Sequence, residues 1–182
     1  MLDRQTIAQR VSELGAQIAE DFTSAVGTRE GGDEPAGEMT IVPLLTGSVI
    51  FVADLMRELP VMMRIRLLRV SSYPGKATSS QGVRIEDGLA DSLGGRHVLI
   101  VDDVLDSGGT IRAVREAVAS HEPASIRVCV LLRKALPTAM AVPADYVGFD
   151  IPDEFVVGYG LDYDGYYRNL PEVVTLNAEA MA

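Results

Sequence analysis

The sequence has a single cysteine, a deficit of basic residues and no long hydrophobic run. With Cys129 alone, no disulfide can form within the chain, and its place in the apolar run RVCVLL predicts a buried, reduced thiol rather than a catalytic one. The formal net charge is −10 at pH 7. This charge argues against nucleic acid or an anionic membrane as the main partner, because such binding depends on basic surface.

Two further absences concern location and size. No apolar stretch approaches the length of a membrane span, and the first ten residues lack the apolar core of a signal peptide, so we expect a cytoplasmic protein with no membrane partner. A chain of 182 residues, 47% of them hydrophobic, is long enough for one well-buried core and short for two. We therefore expect a single domain over residues 1–182.

Strand-like and helix-like segments alternate along the chain. A first helix is predicted over residues 3–26, where apolar residues recur at helical spacing. Strands are predicted at residues 40–45, 64–70, 97–101, 126–132, 145–149 and 155–159, with helices at about 48–59 and from the turn at 107–110 to about 120. This alternation predicts an α/β fold with a mainly parallel sheet flanked by helices. Pro43 leaves the limits of the first strand open, because it removes a hydrogen-bond donor.

The most informative segment is VLIVDDVLDSGGTI, residues 98–111, in which a buried strand leads into three aspartates and a glycine turn that opens a helix. Ligands bind at such junctions in open α/β sheets. The free N–H groups of the turn can hold a phosphate, with the hydroxyls of Ser107 and Thr110 beside them. The lysine of a nucleoside triphosphate P-loop and the dinucleotide motif G-x-G-x-x-G are both missing.

The three aspartates can serve chemistry or simply end a strand. In a regular strand Asp102 and Asp103 point to opposite sides, so we do not expect them to share a proton, and each can meet diol hydroxyls or hydrated Mg²⁺. The alternative is a solvated strand end with a helix cap at Asp106. The polar segment SSYPGKATSSQG, residues 71–82, is longer than the usual connection, and its composition leaves open a lid or a hairpin tip.

These motifs resemble those of a known family. VLIVDDVLDSGGTI is similar to the 5-phosphoribosyl-1-pyrophosphate (PRPP) signature of the type I phosphoribosyltransferases, and residues 148–173 resemble the purine- and metal-binding segment of the hypoxanthine-guanine phosphoribosyltransferases. LLTGSVIFVADL at 44–55, SSYPGKATSS at 71–80 and LLRKA at 131–135 follow the family's order. The resemblance implies the type I phosphoribosyltransferase fold, a mainly parallel twisted sheet flanked by helices, with a small hood region and a flexible lid loop at about 71–82.

The resemblance also implies roles for individual residues on the PRPP side. Asp106 would be catalytic and manage the proton at purine N7, and the turn after it would hold the 5′-phosphate. Asp102 and Asp103 would hold the ribose hydroxyls and the Mg²⁺ bound there. The full implied PRPP set is Thr46, Gly47, Ser72, Tyr73, Asp102, Asp103, Asp106, Ser107, Gly108, Gly109, Thr110 and Arg168, with Ser72 and Tyr73 in the lid and Arg168 against pyrophosphate.

On the purine side the resemblance implies four residues. Lys134 would donate to the 6-oxo group, Phe155 would stack on the base, the backbone of Val156 would read its edge, and Asp162 would bind a second Mg²⁺. Each has an ordinary alternative by composition alone, since Phe155 could lie in the core and Lys134, Asp162 and Arg168 could be surface charges. Their order against the family's pattern favours the functional interpretation.

The implied activity is Mg²⁺-dependent conversion of hypoxanthine, and possibly guanine, with PRPP to IMP (GMP) and pyrophosphate, by a homodimer or homotetramer. Two alternatives stay open: a transferase for another base, xanthine or a pyrimidine, and a PRPP-sensing regulator that binds nucleic acid. The sequence departs from the family at Thr46, where a lysine is usual, and at Gly109, where a larger residue is frequent. The resemblance further implies that the Leu45–Thr46 peptide is able to be cis.

Overall fold

The alternating pattern folds into one large sheet with helices packed against it. The computed structural model describes residues 1–28, 37–72, 83–86 and 93–177. Its helices are α1 (Arg4–Val26), α2 (Val49–Leu55), α3 (Gly109–Ala119) and α4 (Pro137–Met140). Its strands are β1 (Met39–Leu45), β2 (Met63–Ile65), β3 (Leu68–Ser72), β4 (Val83–Glu86), β5 (His97–Leu105), β6 (Ser125–Lys134), β7 (Tyr146–Ile151), β8 (Val156–Val157) and β9 (Val174–Thr175).

The large sheet has the order β4-β3-β1-β5-β6-β7, with β2 also paired to β1. Every pairing in it is parallel except that of β3 with β4. Alternate residues of the central strands enter two separate hydrophobic clusters, one packed against α1 and α2 and the other against α3. The predicted α/β fold with a mainly parallel sheet is therefore confirmed, and the carboxyl ends of β1, β5 and β6 lie side by side.

The prediction of one strand over residues 64–70 is wrong, because two short strands occupy this region. β2 ends opposite Ile41 of β1, and β3 begins opposite Leu44. On this side of β1 the Ile41 carbonyl accepts a hydrogen bond from the Arg66 N–H. The backbone groups of successive residues in a strand point to its two neighbouring strands in turn, so those of Pro43 point to the same side as those of Ile41. Pro43 has no N–H to donate, and the interruption of the ladder coincides with it.

The helix predictions are confirmed in place, with one difference in length. α1 begins after Asp3, whose Oδ1 accepts a 2.8 Å hydrogen bond from the Thr6 N–H, and its apolar stripe from Ile7 to Phe22 is buried. α2 ends at Leu55, earlier than the predicted residue 59. Cys129 is buried and free, as predicted. Among the described residues, no helix is long and apolar enough to cross a membrane.

Residues 152–177, which we call the hood, follow β7 and form a second small sheet. In it β8 pairs antiparallel with β9, and Val173 pairs with Leu2 at the start of the chain. The predicted lid at 71–82 falls almost wholly outside the described residues, which include only the strands β3 and β4 on either side of it.

Candidate functional site

Two adjoining cavities open where β1, β5 and β6 end. The turn cavity, of about 400 Å³, is bounded by the Leu45–Gly47 loop, the acidic end of β5 and the start of α3. The hood cavity, of about 250 Å³, lies between the ends of β5 and β6 and the hood. Both cavities are lined by Asp103, Val104 and Asp106. The site predicted at the carboxyl end of β5 therefore coincides with cavities, and its function stays a prediction.

The turn from Ser107 to Thr110 is shaped to leave backbone N–H groups free. Gly108 has φ of 79°, and a β-carbon there would overlap Val142, so glycine is required at this position. No side chain in the described part of the chain caps the N-terminus of the 11-residue α3. The first N–H groups of a helix have no partner within the helix, so this end can bind an anion. A β-carbon at Gly109 would meet only Ser107 Oγ at 3.9 Å, so this departure from the family leaves the turn unchanged.

Asp102 and Asp103 do not diverge as a regular strand predicts. Each carboxylate turns back to the chain: Asp102 Oδ1 accepts from the Asp103 N–H at 3.1 Å, and Asp103 Oδ1 accepts from the Val104 N–H at 2.8 Å. Both residues line the turn cavity, and their side chains interact with each other. The expectation that they face opposite sides is wrong, because these local hydrogen bonds override the alternation of the strand.

Burial controls the electrostatics of this acidic pair. It is the largest cause of the raised pKa of Asp102, and the negative charge of Asp103 raises that pKa further. Burial also raises the pKa of Asp103, while its hydrogen bonds with Asp102 and the N–H of Val104 and the nearby Arg168 guanidinium act in the opposite direction. A buried carboxyl at Asp102 beside a half-buried one at Asp103 favours a cation or hydroxyl donors in the turn cavity.

Asp102→Asn is expected to raise the melting temperature of the metal-free protein at pH 7. The folded state binds the Asp102 proton more tightly than the unfolded chain, whose carboxyl has a pKa near 3.8, so the charged residue destabilises the fold as pH rises above that value. The uncharged asparagine removes this penalty, and each kcal/mol is worth about 2–4 °C in a chain of this size. Thermal unfolding in EDTA should show a gain that shrinks towards pH 4, and a loss at pH 7 would contradict the electrostatic account.

The loop after β1 lies directly against the acidic pair. Its Leu45–Thr46 peptide is cis, as the resemblance implied. A β-carbon on Gly47 would overlap Asp103 Oδ2, so only glycine allows this approach of backbone to carboxylate. Thr46 is exposed and lines the turn cavity.

In the hood cavity, Lys134 lies between two carboxylates. Its Nζ is 2.8 Å from Asp153 Oδ1 and 3.3 Å from Asp106 Oδ1, and its side chain is only 14% exposed. Burial acts to lower the pKa of Lys134, but the interactions with Asp153 and Asp106 outweigh it, so the net shift is upward. Lys134 is a protonated donor held at the wall of a cavity, and the alternative of a freely solvated strand end is wrong.

Phe155 is 43% exposed and lines the hood cavity, so the alternative that places it in the core is also wrong. Its ring and that of Tyr163 form an edge-to-face pair at a centroid distance of 5.6 Å. Val156, beside it, is buried in β8. The hood cavity thus has a hydrogen-bond donor on one wall and an exposed aromatic ring on another.

Asp162 and Arg168 form one unit rather than two surface charges. Arg168 Nη2 is 2.7 Å from Asp162 Oδ1, and Arg168 Nη1 donates to the Gly160 carbonyl at 2.6 Å. Asp162 Oδ2 also accepts from the Gly165 N–H at 2.8 Å and lines the hood cavity. Of the other predicted site residues, Tyr73 and the side chain of Ser72 lie outside the described residues.

Sequence reasoning missed Asp153 and Tyr163, which contact Lys134 and Phe155. Both lie in the 148–173 segment that carries the resemblance, but nothing in the sequence indicates which of its polar residues reach a neighbour.

Within the described residues, no group of three or more His, Cys, Asp or Glu side chains could hold a metal ion. The carboxylates that line the cavities, those of Asp102 and Asp103 together and that of Asp162 apart, fit Mg²⁺. This ion keeps several waters and takes one or two protein carboxylates together with substrate oxygens.

Known proteins share both the sequence and the fold. A family model described as a phosphoribosyl transferase domain matches residues 2–164. The chain is 44% identical over 178 residues to a hypoxanthine-guanine phosphoribosyltransferase of Mycobacterium tuberculosis, covering 97% of this chain and 85% of that protein. It is 41% identical over 173 residues to a hypoxanthine phosphoribosyltransferase of Salmonella typhimurium, covering 95% and 92%. A ternary substrates complex of the Trypanosoma cruzi hypoxanthine phosphoribosyltransferase superposes with a TM-score of 0.89 at 36% identity, covering 100% and 96%.

Proposed function

This chain belongs to the hypoxanthine-guanine phosphoribosyltransferases, within the phosphoribosyltransferase family, and we propose that it converts hypoxanthine and PRPP to IMP and pyrophosphate in purine salvage. The observation that carries the proposal is the pairing of the two cavities. A helix-opening turn beside Asp102 and Asp103 adjoins a cavity with a lysine donor and an exposed aromatic ring. Their shared wall at Asp103 to Asp106 is where a sugar would meet a base.

PRPP fits the turn cavity by charge and by hydrogen bonding. We propose that the N–H groups and hydroxyls from Ser107 to Thr110 bind the 5′-phosphate and that Asp102 and Asp103 bind the ribose hydroxyls. The pyrophosphate would then extend towards the Thr46–Gly47 loop, with Arg168 behind it. This orientation is supported by the position of Gly47 against Asp103 and by the influence of Arg168 on the pKa of that carboxyl.

The purine fits the hood cavity with its polar edge towards Lys134. The protonated Nζ would donate to a 6-oxo group, Phe155 would cover one face of the ring, and the backbone at Val156 would contact the other edge. The ammonium group of Lys134 has three N–H donors and two carboxylate partners, so it favours a ligand with an acceptor, which would take the remaining donor. This requirement favours 6-oxopurines and supports hypoxanthine over bases that lack such an oxygen.

The transfer makes a bond between a purine nitrogen and the ribose C1′ and breaks the bond from C1′ to the pyrophosphate oxygen. Positive charge grows on the sugar, where the carboxylates of Asp102 and Asp103 would stabilise it. As the new bond forms, the proton on purine N7 would pass to Asp106. Asp106 suits this role because its carboxylate is 59% exposed, opens into both cavities and is next to Lys134.

We propose two Mg²⁺ ions, one that Asp102 and Asp103 would hold and a second that Asp162 would hold, each with substrate oxygens and water. When bound, Mg²⁺ would neutralise charge on the pyrophosphate leaving group.

We also propose that the protein forms a homodimer or homotetramer, which light scattering would test. A cytoplasmic location stays a prediction.

One assay tests the function. Purified protein is mixed with PRPP, Mg²⁺ and each of hypoxanthine, guanine, xanthine and a pyrimidine, and nucleotide and pyrophosphate are measured. We expect IMP from hypoxanthine, and the guanine reaction decides whether GMP is a second product. Nucleotide only from xanthine or a pyrimidine would assign another base. PRPP binding without any product, together with retention of bulk DNA or RNA on filters, would indicate a nucleic-acid-binding regulator.

Thr46→Lys is expected to tighten pyrophosphate binding at low Mg²⁺. Thr46 contributes a hydroxyl and the loop contributes N–H groups, but neither carries a positive charge. In the native protein Mg²⁺ therefore neutralises more of the charge of pyrophosphate. Product inhibition by pyrophosphate, measured across a Mg²⁺ titration, should strengthen in the variant at the low end and converge with the native protein at the high end. Identical inhibition at every Mg²⁺ concentration would mean that the loop does not contact the leaving group.

A further inference from the structure

We propose that Tyr159 is a positioning residue whose hydrogen bond to Asp54 of α2 sets the place of Asp162 and Arg168 for PRPP binding. The Tyr159 hydroxyl donates to Asp54 Oδ2 at 2.6 Å, across 105 residues of sequence. The inference rests on the proposed function, because it assigns Arg168, and the second Mg²⁺ that Asp162 would hold, to the pyrophosphate of PRPP. Tyr159 itself lines neither the turn cavity nor the hood cavity.

The backbone at Tyr159 adopts a conformation that ordinary side chains avoid. Gly158, Tyr159 and Gly160 have φ values of 96°, 52° and 103°, so three residues in a row have positive φ. The two glycines adopt such angles readily, whereas a tyrosine does so only when its surroundings hold it. Tyr159 is 6% exposed and its hydroxyl is bonded to Asp54, so the side chain anchors this turn to α2.

Close backbone contacts connect the turn to the acidic pair. A β-carbon on Gly160 would overlap the carbonyl oxygen of Gly47, and a β-carbon on Gly47 would overlap Asp103 Oδ2. Gly160 in turn accepts the 2.6 Å hydrogen bond from Arg168, which also holds Asp162. A shift of Tyr159 away from α2 would therefore move Gly160, and with it Arg168 and Asp162, relative to Asp103.

The purine side of the hood has a separate anchor. β8 pairs with β9, and the Leu176 N–H donates to the Phe155 carbonyl at 2.9 Å. Phe155 and Val156 thus stay in place without the bond from Tyr159 to Asp54. Loss of that bond should weaken the PRPP side of the site and spare the purine side, which a general loss of stability would not do.

A second tyrosine provides a matched control. Tyr146 is 4% exposed and donates to Asp21 of α1 at 2.9 Å, so it too is a buried tyrosine tied to a helix aspartate. Tyr146→Phe and Tyr159→Phe each remove one hydroxyl and one hydrogen bond of the same kind. Tyr146 lies in β7 and lines neither cavity of the site.

The test compares Michaelis constants for both substrates, with melting temperatures measured alongside. For Tyr159→Phe we expect the KM for PRPP to rise about 3- to 10-fold, the range that one buried hydrogen bond spans, with the KM for hypoxanthine nearly unchanged. Tyr146→Phe should lower the melting temperature to a similar extent and change neither KM. Asp54→Asn, which keeps an acceptor oxygen, should retain most of the PRPP affinity, and Asp54→Ala should reproduce Tyr159→Phe.

Three results would overturn the inference. The KM for PRPP could be unchanged in Tyr159→Phe, it could rise equally in Tyr146→Phe, or Tyr159→Phe could raise the KM equally for PRPP and hypoxanthine. The proposed function fails separately, if the native protein forms no nucleotide. In that case calorimetric titration with PRPP and Mg²⁺ decides the inference. Weaker binding in Tyr159→Phe alone supports it, and equal binding, or none, overturns it.

Discussion

Asp106→Asn is expected to lower turnover by about 10²-fold or more while leaving PRPP binding nearly intact, the usual scale for a positioned acid-base group. Asparagine has almost the shape of aspartate but cannot accept the purine proton. The carboxylate is 59% exposed, so its loss should cost little stability. Turnover is measured at saturating substrates, and PRPP binding is measured by calorimetry with Mg²⁺ and no base.

Asp153→Asn is the control for this substitution. Asp153 lies 2.8 Å from Lys134 Nζ and Asp106 lies 3.3 Å from it, so each variant removes one negative charge beside the same lysine. We expect Asp153→Asn to change turnover far less, because Asp153 lines neither the turn cavity nor the hood cavity. Equal losses would show that the effect passes through the charge of Lys134, and native turnover in Asp106→Asn would remove that residue from the mechanism.

The parts of the site that local sequence determines were predictable. β5, the turn and α3 are consecutive in the chain, so strand, phosphate cradle and acids can be read from one segment of 14 residues, 98–111. The order of strands and helices is likewise local, since it follows from the period of apolar residues. The directions of Asp102 and Asp103 were not predictable in this way, because hydrogen bonds at the strand end replace the regular alternation.

The remaining features depend on residues distant in sequence. The break between β2 and β3 lies opposite Pro43, which is more than 20 positions earlier and shows its effect only once the strands pair. Whether the side chain of Phe155 lies in the core or at a cavity wall depends on which other residues cover it. Composition alone predicts the core, because phenylalanine is usually buried. The partners of Lys134 and Tyr159 are 19 and 105 residues away, and no spacing rule connects them.

Lys134→Ala is expected to raise the KM for hypoxanthine by about 10- to 100-fold, with a much smaller effect on PRPP. The reason is that a charge-assisted hydrogen bond to a ligand contributes about 1.5–3 kcal/mol, and this donor faces the base rather than the phosphates. The 14% exposure of Lys134 and its two carboxylate partners mean that water cannot easily take its place at the cavity wall. Both Michaelis constants are measured with the other substrate saturating.

Arg133→Ala is the control, because Arg133 is the neighbouring cation on β6 and pairs with Asp150 at 2.7 Å and 3.1 Å, with neither residue lining the hood cavity. This variant removes a cation and an ion pair from the same strand end, so any general effect on β6 should appear in it as well. We expect near-native constants for both substrates in Arg133→Ala. If Lys134→Ala raises the two Michaelis constants equally, or if Arg133→Ala matches it, Lys134 supports the strand end and does not recognise the purine.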